Sequence, residues 1–272
     1  AFLAICSFKN LMGWKICMAQ LELKNVSVRF GGLLALSDLS FTIGNGGVVG
    51  LIGPNGAGKT TVFNVLTGVY QASEGEVLFN GKSILGKRPY SIFEEGIART
   101  FQNIRLFSAM TAVENAMVAR HCRSSKGIVG SILRSPSQKR EEAFIKEKAM
   151  EALTFMGVGK YADDVASNLP YGLQRRLEIA RAIASEPKVL LLDEPAAGMN
   201  PSESSELMKD ITRISELGID VLLVEHDMKV VMGVCDHIVC VDHGVKIADG
   251  NSHEIQNNPK VIEAYLGQPA NQ

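Results

Sequence analysis

The sequence predicts an α/β fold with a mainly parallel core sheet, an antiparallel β subdomain and an inserted helical subdomain. Short apolar runs alternate with helical patterns along much of the chain, which is typical of a parallel sheet. Asn80-Gly81 lies between the strand patterns Glu76–Phe79 and Ser83–Leu85 and indicates an antiparallel hairpin. The pattern becomes helical from about residue 103 to residue 185, and these residues are predicted to form the helical subdomain.

The strand pattern Val48–Ile52 leads directly into a glycine-rich loop. The loop consists of Gly53, Pro54, Asn55, Gly56, Ala57, Gly58, Lys59, Thr60 and Thr61. The spacing Gly-x-x-x-x-Gly-Lys-Thr between a strand and a helix is that of a phosphate-binding loop and predicts a P-loop NTPase core. Glycines let backbone N–H groups approach phosphate oxygens, and the helix N-terminus favours their negative charge. Lys59 is expected to reach the β- and γ-phosphates and the Thr60 hydroxyl to bind Mg²⁺; the alternative is a chance match in a glycine-rich turn.

The remaining elements follow from apolar spacing and helix caps. Two strands are predicted before the loop, at Leu21–Phe30 and Leu36–Ile43, and the helix after it is expected to end at Gly68. Thr111-x-x-Glu114 is a capping box that opens a helix to about His121. After a predicted loop at 124–137, a long helix is expected to end at Gly157.

The last third alternates helices with strands. Helices are predicted after Leu169 to about Ser185, from Asn200-Pro201 to Gly218, and near Pro259–Leu266. Strands are predicted at Val189–Leu192, Val221–Val224, Ile238–Val241 and Val245–Ala248. This alternation again favours a mainly parallel sheet.

An acidic pair, Asp193-Glu194, follows the apolar strand Val189–Leu192. A carboxylate at the carboxyl end of a strand can hold Mg²⁺ through water, which is the acidic partner that a phosphate-binding loop requires. Glu194 could take a proton from an attacking water, so hydrolysis is favoured over transfer to an acceptor. The alternative is that the pair only ends the strand.

The composition argues against electrostatic attraction of the whole protein to nucleic acid. The 272 residues carry a net charge of −1, from 28 basic and 29 acidic side chains, so no nucleic-acid partner is expected. Five cysteines, an odd number without metal-type spacing, indicate reduced thiols in a cytoplasmic protein. No apolar run reaches the roughly 20 residues that span a bilayer.

Residues 1–17 are predicted to be an upstream extension, with Met18 as the natural start of a single domain over 18–272. They are rich in apolar residues but are interrupted by Lys9, Asn10 and Lys15, unlike the apolar core of a signal peptide. A native amphipathic extension is the alternative.

Four further motifs follow the order of a known family. They are Arg99-Thr100-Phe101-Gln102, Leu169-Pro170-Tyr171-Gly172, Ala197-Gly198-Met199-Asn200 and Val224-Glu225-His226-Asp227. Together with the loop and the acidic pair, these motifs make the sequence from Met18 to Gly267 resemble the ATP-binding subunits of ABC transporters. In that order, the four motifs look like the family's Q-loop, signature motif, D-loop and switch histidine. The resemblance implies an ATPase that uses ATP and Mg²⁺.

The resemblance also implies roles for five residues. Gln102 would contact Mg²⁺ and the membrane-subunit interface, His226 the γ-phosphate and Phe30 the adenine. Tyr171 and Gly172 would contact the ATP bound to the other copy of a head-to-tail pair. Three of these residues have a plainer alternative interpretation. Gln102 could be a solvated loop residue, His226 could have only a structural role, and Phe30 could be an ordinary core residue.

Two departures from the family pattern bear on that pair. In the signature motif, Pro170, Tyr171 and Leu173 stand where the family has Ser, Gly and Gln, and the missing serine hydroxyl removes a hydrogen-bond donor to phosphate. Asn200 replaces the usual D-loop Asp, and its alternative role is an N-cap before Pro201.

Within the family, the sequence looks like the ATPases of bacterial branched-chain amino acid importers. The segments that carry this likeness are 99–107, 171–172, 174–181 and 194–198, with the ending Tyr265-Leu266-Gly267, which lipopolysaccharide exporter subunits share. The implied partners are a second ATPase subunit, identical or homologous, membrane permease subunits and, indirectly, a periplasmic substrate-binding protein. The implied location is the inner face of the bacterial plasma membrane.

Two alternatives of function stay open from the sequence. One is the ATPase of a related ABC system that moves another amino acid, urea, an amide or lipopolysaccharide. The other is a non-transport ABC ATPase that remodels a soluble complex on ribosomes or DNA, which the single cassette and the lack of basic excess disfavour.

Overall fold

The structure is a computed structural model that describes residues 20–44, 46–123 and 136–266. The predictions for residues 1–17, for the loop up to residue 135 and for Gly267 lie outside the described residues. The strands are β1 (Gln20–Phe30), β2 (Leu33–Gly44), β3 (Val48–Ile52), β4 (Glu74–Phe79), β5 (Lys82–Ser83), β6 (Ile97–Arg99), β7 (Val189–Asp193), β8 (Asp220–Val224), β9 (His237–Asp242) and β10 (Val245–Gly250). The helices are α1 (Lys59–Leu66), α2 (Pro89–Glu95), α3 (Ala112–Arg120), α4 (Pro136–Phe155), α5 (Tyr171–Ala184), α6 (Pro201–Glu216), α7 (Met228–Val234), α8 (Ser252–Gln256) and α9 (Pro259–Leu266).

The larger sheet has the strand order β10-β9-β3-β8-β7-β6. All its neighbouring strands are parallel except β10, which is antiparallel to β9. Every residue of β3, β7 and β8 is buried, as expected for parallel strands covered on both faces. The carboxyl ends of these three strands therefore lie side by side, and the segments that follow them meet at one edge of the sheet.

The smaller sheet is antiparallel, with the strand order β2-β1-β4-β5. Its apolar face packs in one cluster with α1 and with one face of the larger sheet, so α1 lies in a core shared by both sheets. The predicted hairpin is confirmed: Asn80 and Gly81 have φ of 51° and 74°, as a type I′ turn requires. Its second strand is Lys82–Ser83 rather than Ser83–Leu85, because the two-residue turn places Lys82 directly opposite Phe79.

Helices α3, α4 and α5 pack together on the other face of the larger sheet. Ala116 of α3, Leu153 of α4 and Leu177 of α5 are fully buried in the same apolar cluster. The predicted capping box is present, since the Thr111 hydroxyl accepts from the Glu114 N–H and the Glu114 carboxylate accepts from the Thr111 N–H. The division of the chain into one domain with a helical subdomain stays a proposal consistent with this packing.

Four elements were not predicted: β6, α2, α7 and α8. Strand β6 has three residues, too few for a periodic signal, and its position is fixed by pairing with β7. Helix α2 begins with Pro89 in its first turn and is followed by Gly96 at φ 115°, so its caps were the only local signal.

Asn200 is the N-cap of α6, which is the plainer of its two sequence interpretations. Its Oδ1 accepts a hydrogen bond from the Glu203 N–H at 2.9 Å, and the Glu203 carboxylate accepts from the Asn200 N–H at 3.1 Å. Asn200→Ala is expected to lower the free energy of unfolding by about 1 kcal/mol, because an orphan helix N–H loses its acceptor. Urea unfolding measures this, with Ser202→Ala, an exposed position in the same turn, as the control. Equal effects of both substitutions would contradict the cap.

Candidate nucleotide-binding site

The glycine-rich loop is shaped by close backbone contacts. Gly53 has φ 152°, and a Cβ there would lie 2.1 Å from the carbonyl oxygen of Val241. Gly58, the N-cap of α1, has φ 106°, and its Cβ would lie 2.8 Å from a methyl carbon of Leu36. Only glycine fits these positions, so the loop is pressed against β2 and the end of β9.

Lys59 is folded back into this loop. Its Nζ donates hydrogen bonds to the carbonyl oxygens of Gly53, at 2.7 Å, and Pro54, at 3.0 Å. Burial lowers the pKa of the Lys59 ammonium, and the nearby carboxylates of Glu194 and Asp193 oppose that shift. The adjacent Thr60 is exposed at the first turn of α1, so its hydroxyl is accessible to a ligand.

Asp193 ends β7 with its carboxylate held by Arg99. The Arg99 guanidinium donates to Asp193 Oδ2 at 3.0 Å and to Asn64 Oδ1, on α1, at 2.7 Å. It also lies over the rings of Phe63 and Phe101, 5.2 and 5.0 Å from their centroids. Arg99 thus ties the acidic strand end to the loop helix, a role that the sequence did not suggest.

Three of the predicted site residues are joined at one carboxylate. Glu194 Oε2 accepts from Gln102 Nε2 at 2.7 Å, and Glu194 Oε1 lies 2.5 Å from His226 Nε2. The Glu194 backbone has φ 47°, an uncommon conformation for a residue other than glycine, and its N–H donates to the Val224 carbonyl at 2.9 Å. The sharp turn after β7 thereby aims the carboxylate at the segments that follow β6 and β8.

Glu225 fixes the neighbouring backbone and was not predicted to act. Its buried carboxylate accepts hydrogen bonds from the N–H groups of Ala196, at 2.8 Å, and His226, at 3.3 Å. Burial raises the pKa of Glu225, and the nearby Glu194 charge raises it further against these two bonds. Glu225 therefore connects the segment after Glu194 to the backbone that carries the imidazole.

Tyr171 and Gly172 open helix α5. The Tyr171 side chain is 45% exposed, and its hydroxyl donates to the Ala197 carbonyl at 2.9 Å. Among the described residues, neither Tyr171 nor Gly172 forms a hydrogen bond with the loop at 53–61. Within this one chain, Tyr171 is exposed and Gly172 is partly exposed at the start of α5.

Arg175, one turn further along α5, is fully buried and was also missed. Its guanidinium donates to the carbonyl oxygens of Phe101, at 2.7 Å, and Gln102, at 2.6 Å, and to the Glu178 carboxylate, at 2.7 Å. Glu178 in turn accepts from the Arg105 N–H at 3.2 Å. The i,i+3 spacing of Arg175 and Glu178 was visible in the sequence, but the loop that they hold was not.

Phe30 lies at the end of β1 with 43% of its surface exposed. Its ring meets that of Tyr70 edge to face, with centroids 5.0 Å apart and an interplanar angle of 73°. It is therefore not an ordinary core residue, and its ring is accessible to a ligand.

The fold and this arrangement define an ATPase of the ABC transporter class, and the comparisons with known proteins agree. The ABC transporter family profile matches residues 36–197, and the chain belongs to this family. A second profile, of the branched-chain amino acid ATP-binding cassette transporters, matches residues 245–271. The predicted family, α/β fold and ATPase activity are confirmed, and the domain binds ATP.

Two curated relatives carry the same description. The chain is 46% identical over 249 residues to the high-affinity branched-chain amino acid transport ATP-binding protein BraF of Pseudomonas aeruginosa, covering 91% of this chain and 98% of BraF. It is 44% identical, with the same two coverages, to LivG of Escherichia coli strain K12, which has the same description.

A solved structure is similar along nearly the whole chain. The ADP conformation of an ATP-binding cassette of an ABC transporter superimposes with a TM-score of 0.80 at 33% identity, covering 93% of this chain and 100% of the other. In the part of the chain that the structure describes, no helix has the length and apolar character needed to cross a membrane.

Proposed function

We propose that this chain powers import of branched-chain amino acids through membrane permease subunits, with ATP closing a head-to-tail pair of ATPase subunits. The observation that carries the ATPase part is the meeting of Gln102, Glu194 and His226 at one carboxylate. The choice of transported substrate is supported by the relatives described as branched-chain amino acid transport proteins, of which the chain covers 98%.

In this proposal ATP binds across the loop from Gly53 to Thr61. The backbone N–H groups of the loop and the positive end of α1 bind the phosphates. The Lys59 ammonium, which now bonds the carbonyls of Gly53 and Pro54, exchanges those acceptors for β- and γ-phosphate oxygens. Phe30 stacks on the adenine with its exposed face.

We propose that Thr60, Asp193 and Gln102 hold Mg²⁺. Their hydroxyl, carboxylate and amide oxygens are the hard donors that Mg²⁺ prefers, so the residues fit the ion. When bound, the ion would neutralise charge that develops between the β- and γ-phosphates. Arg99 orients the Asp193 carboxylate for this role, because the guanidinium is itself fixed by Asn64 on the loop helix.

Glu194 acts as the general base in this proposal. Its carboxylate takes a proton from the water that attacks the γ-phosphate, while His226 contacts that phosphate and Gln102 orients the water or the metal. The contacts of Gln102 and His226 with Glu194 hold all three groups within reach of one point. ATP binding replaces these contacts with contacts to the nucleotide.

The second subunit completes the site. Tyr171 is exposed, Gly172 is partly exposed, and neither forms a hydrogen bond with the loop at 53–61 of its own chain, which suits contact with ATP bound to a partner. The partner is a second copy or a homologous ATPase. Permease subunits would dock near Gln102 and the helices α3 to α5, at the inner face of the plasma membrane. A periplasmic binding protein would act indirectly, and no nucleic acid takes part.

The experiment is uptake of radiolabelled leucine, isoleucine and valine by a strain that lacks this gene. Uptake should fall, and the wild-type gene should restore it whereas Glu194→Gln should not. Normal uptake in the deletion strain would overturn the substrate assignment. Partners that copurify from native membranes test the rest: permeases support transport, and ribosomal proteins would support a non-transport ATPase.

A further inference from the structure

The C-terminal helix reaches the glycine-rich loop through one side chain. The hydroxyl oxygen of Tyr265, on α9, accepts a hydrogen bond from the Gly53 N–H at 2.9 Å, across 212 residues of sequence. Tyr265 belongs to the ending Tyr265-Leu266-Gly267 noted in the sequence, and the function proposed above gives it no role.

Both peptide units that flank Gly53 form hydrogen bonds with side chains of other residues. Tyr265 accepts from its N–H at 2.9 Å, and Lys59 Nζ donates to its carbonyl oxygen at 2.7 Å. The Gly53 Cα also packs so closely on the Val241 carbonyl that no Cβ would fit. Because glycine has little conformational preference of its own, these contacts set the direction of both peptide units.

Loss of the Tyr265 oxygen would leave the buried Gly53 N–H without an acceptor. An unsatisfied buried donor is costly, so the peptide unit would rotate toward another acceptor. The Gly53 carbonyl belongs to the next peptide unit, and because glycine has no Cβ to restrict rotation about its Cα, this second unit would no longer be fixed relative to the first. The Lys59 ammonium that donates to that carbonyl would then shift from the place where it meets phosphate.

The Tyr265 hydroxyl is suited to a role that does not change with pH. The Tyr265 ring is half-buried against the apolar cluster under the larger sheet. Burial and the neighbouring Cys240 raise the pKa of Tyr265 to about 12, and burial raises that of Cys240 to about 12. Both groups are therefore neutral at physiological pH, and the bond to Gly53 persists across that range.

We propose that Tyr265 is a positioning residue for ATP binding, which fixes the first peptide unit of the glycine-rich loop and makes the C-terminal helix part of the nucleotide site. The inference rests on the proposed use of residues 53–61 as the ATP site. Its effect is on the bound nucleotide and not on the chemistry, because the Tyr265 hydroxyl bonds the first residue of the loop, whereas Glu194 bonds Gln102 and His226.

The test is Tyr265→Phe in the full-length chain, which removes one oxygen and keeps the ring. The Kd for ATP, measured by isothermal titration calorimetry, should rise about tenfold, which corresponds to ~1.4 kcal/mol. The KM for ATP should rise with it, while kcat stays within about twofold. Tyr90→Phe is the matched control, because the Tyr90 side chain is 59% exposed on α2. It should leave Kd, KM and kcat unchanged.

Two more variants separate this role from the folding of the helix and from the ATP site itself. Val261→Ala removes buried packing of α9 and should lower the unfolding temperature without changing the ATP Kd. If Val261→Ala weakens ATP binding as much as Tyr265→Phe, or if Tyr265→Phe leaves the Kd unchanged, the proposal is overturned. Lys59→Ala should abolish ATP binding, and if it does not, the proposed ATP site is wrong whatever Tyr265 does.

Discussion

Replacing Glu194 by Gln is expected to lower the rate of ATP hydrolysis by about three orders of magnitude while ATP still binds. The amide has the size of the carboxylate but cannot take a proton from water. The variant also loses the negative charge that now lies between Gln102 and His226, so both side chains are freer to turn to the nucleotide. ATP should therefore hold the variant in the closed pair.

The measurements are steady-state phosphate release and size-exclusion chromatography with ATP. Glu194→Gln should elute as a dimer with ATP and as a monomer without it. Glu216→Gln, at the exposed end of α6, is the charge-matched control and should behave as the wild type. Unchanged hydrolysis in Glu194→Gln would rule out the general-base assignment.

The sequence predicted those parts of the site that have local signals. The loop from Gly53 to Thr61 has a fixed spacing, and Asp193-Glu194 directly follows a buried apolar strand, so both could be placed at the carboxyl edge of the sheet. Gln102 and His226 came from the family resemblance, and the structure brings both to Glu194. Their catalytic roles stay predictions.

The contacts that the sequence could not predict join segments that are far apart along the chain. Arg175 meets the Gln102 carbonyl across 73 residues, and Tyr265 meets Gly53 across 212. In both pairs one partner is a backbone group, the Gln102 carbonyl or the Gly53 N–H. Every such residue has these backbone groups, so the residue type at that position does not reveal the contact. Such contacts depend on how the helices pack against the sheet. The periodicity of apolar side chains indicates only which face of a helix or strand is buried.

The fold, like the site, was predicted where an element has a local sequence signal and missed where the element depends on a distant segment. Long apolar strands, capping boxes and the Asn80-Gly81 turn each gave a local signal, whereas three-residue β6 depends on β7 for its pairing. Strand β6 is nevertheless important to the site, because it delivers Arg99 to Asp193 and leads directly to Gln102.

Arg175→Met is expected to lower the free energy of unfolding by about 3–5 kcal/mol, because it leaves the buried Glu178 carboxylate without its counter-ion. It also removes the donors to the Phe101 and Gln102 carbonyls, so the backbone that carries the Gln102 side chain loses its anchor on α5. Hydrolysis should fall with it even under conditions in which the variant is fully folded.

Two comparisons separate these effects. Arg176→Met removes the next arginine of α5, whose side chain is 20% exposed and pairs with Glu206 and Asp210, and should cost less stability. The double variant Arg175→Met/Glu178→Leu removes both buried charges and should recover much of the lost stability, which urea unfolding measures. It should not recover hydrolysis, because the Gln102 carbonyl still has no donor from α5. Recovery of both would mean that Arg175 serves folding alone and does not connect α5 to Gln102.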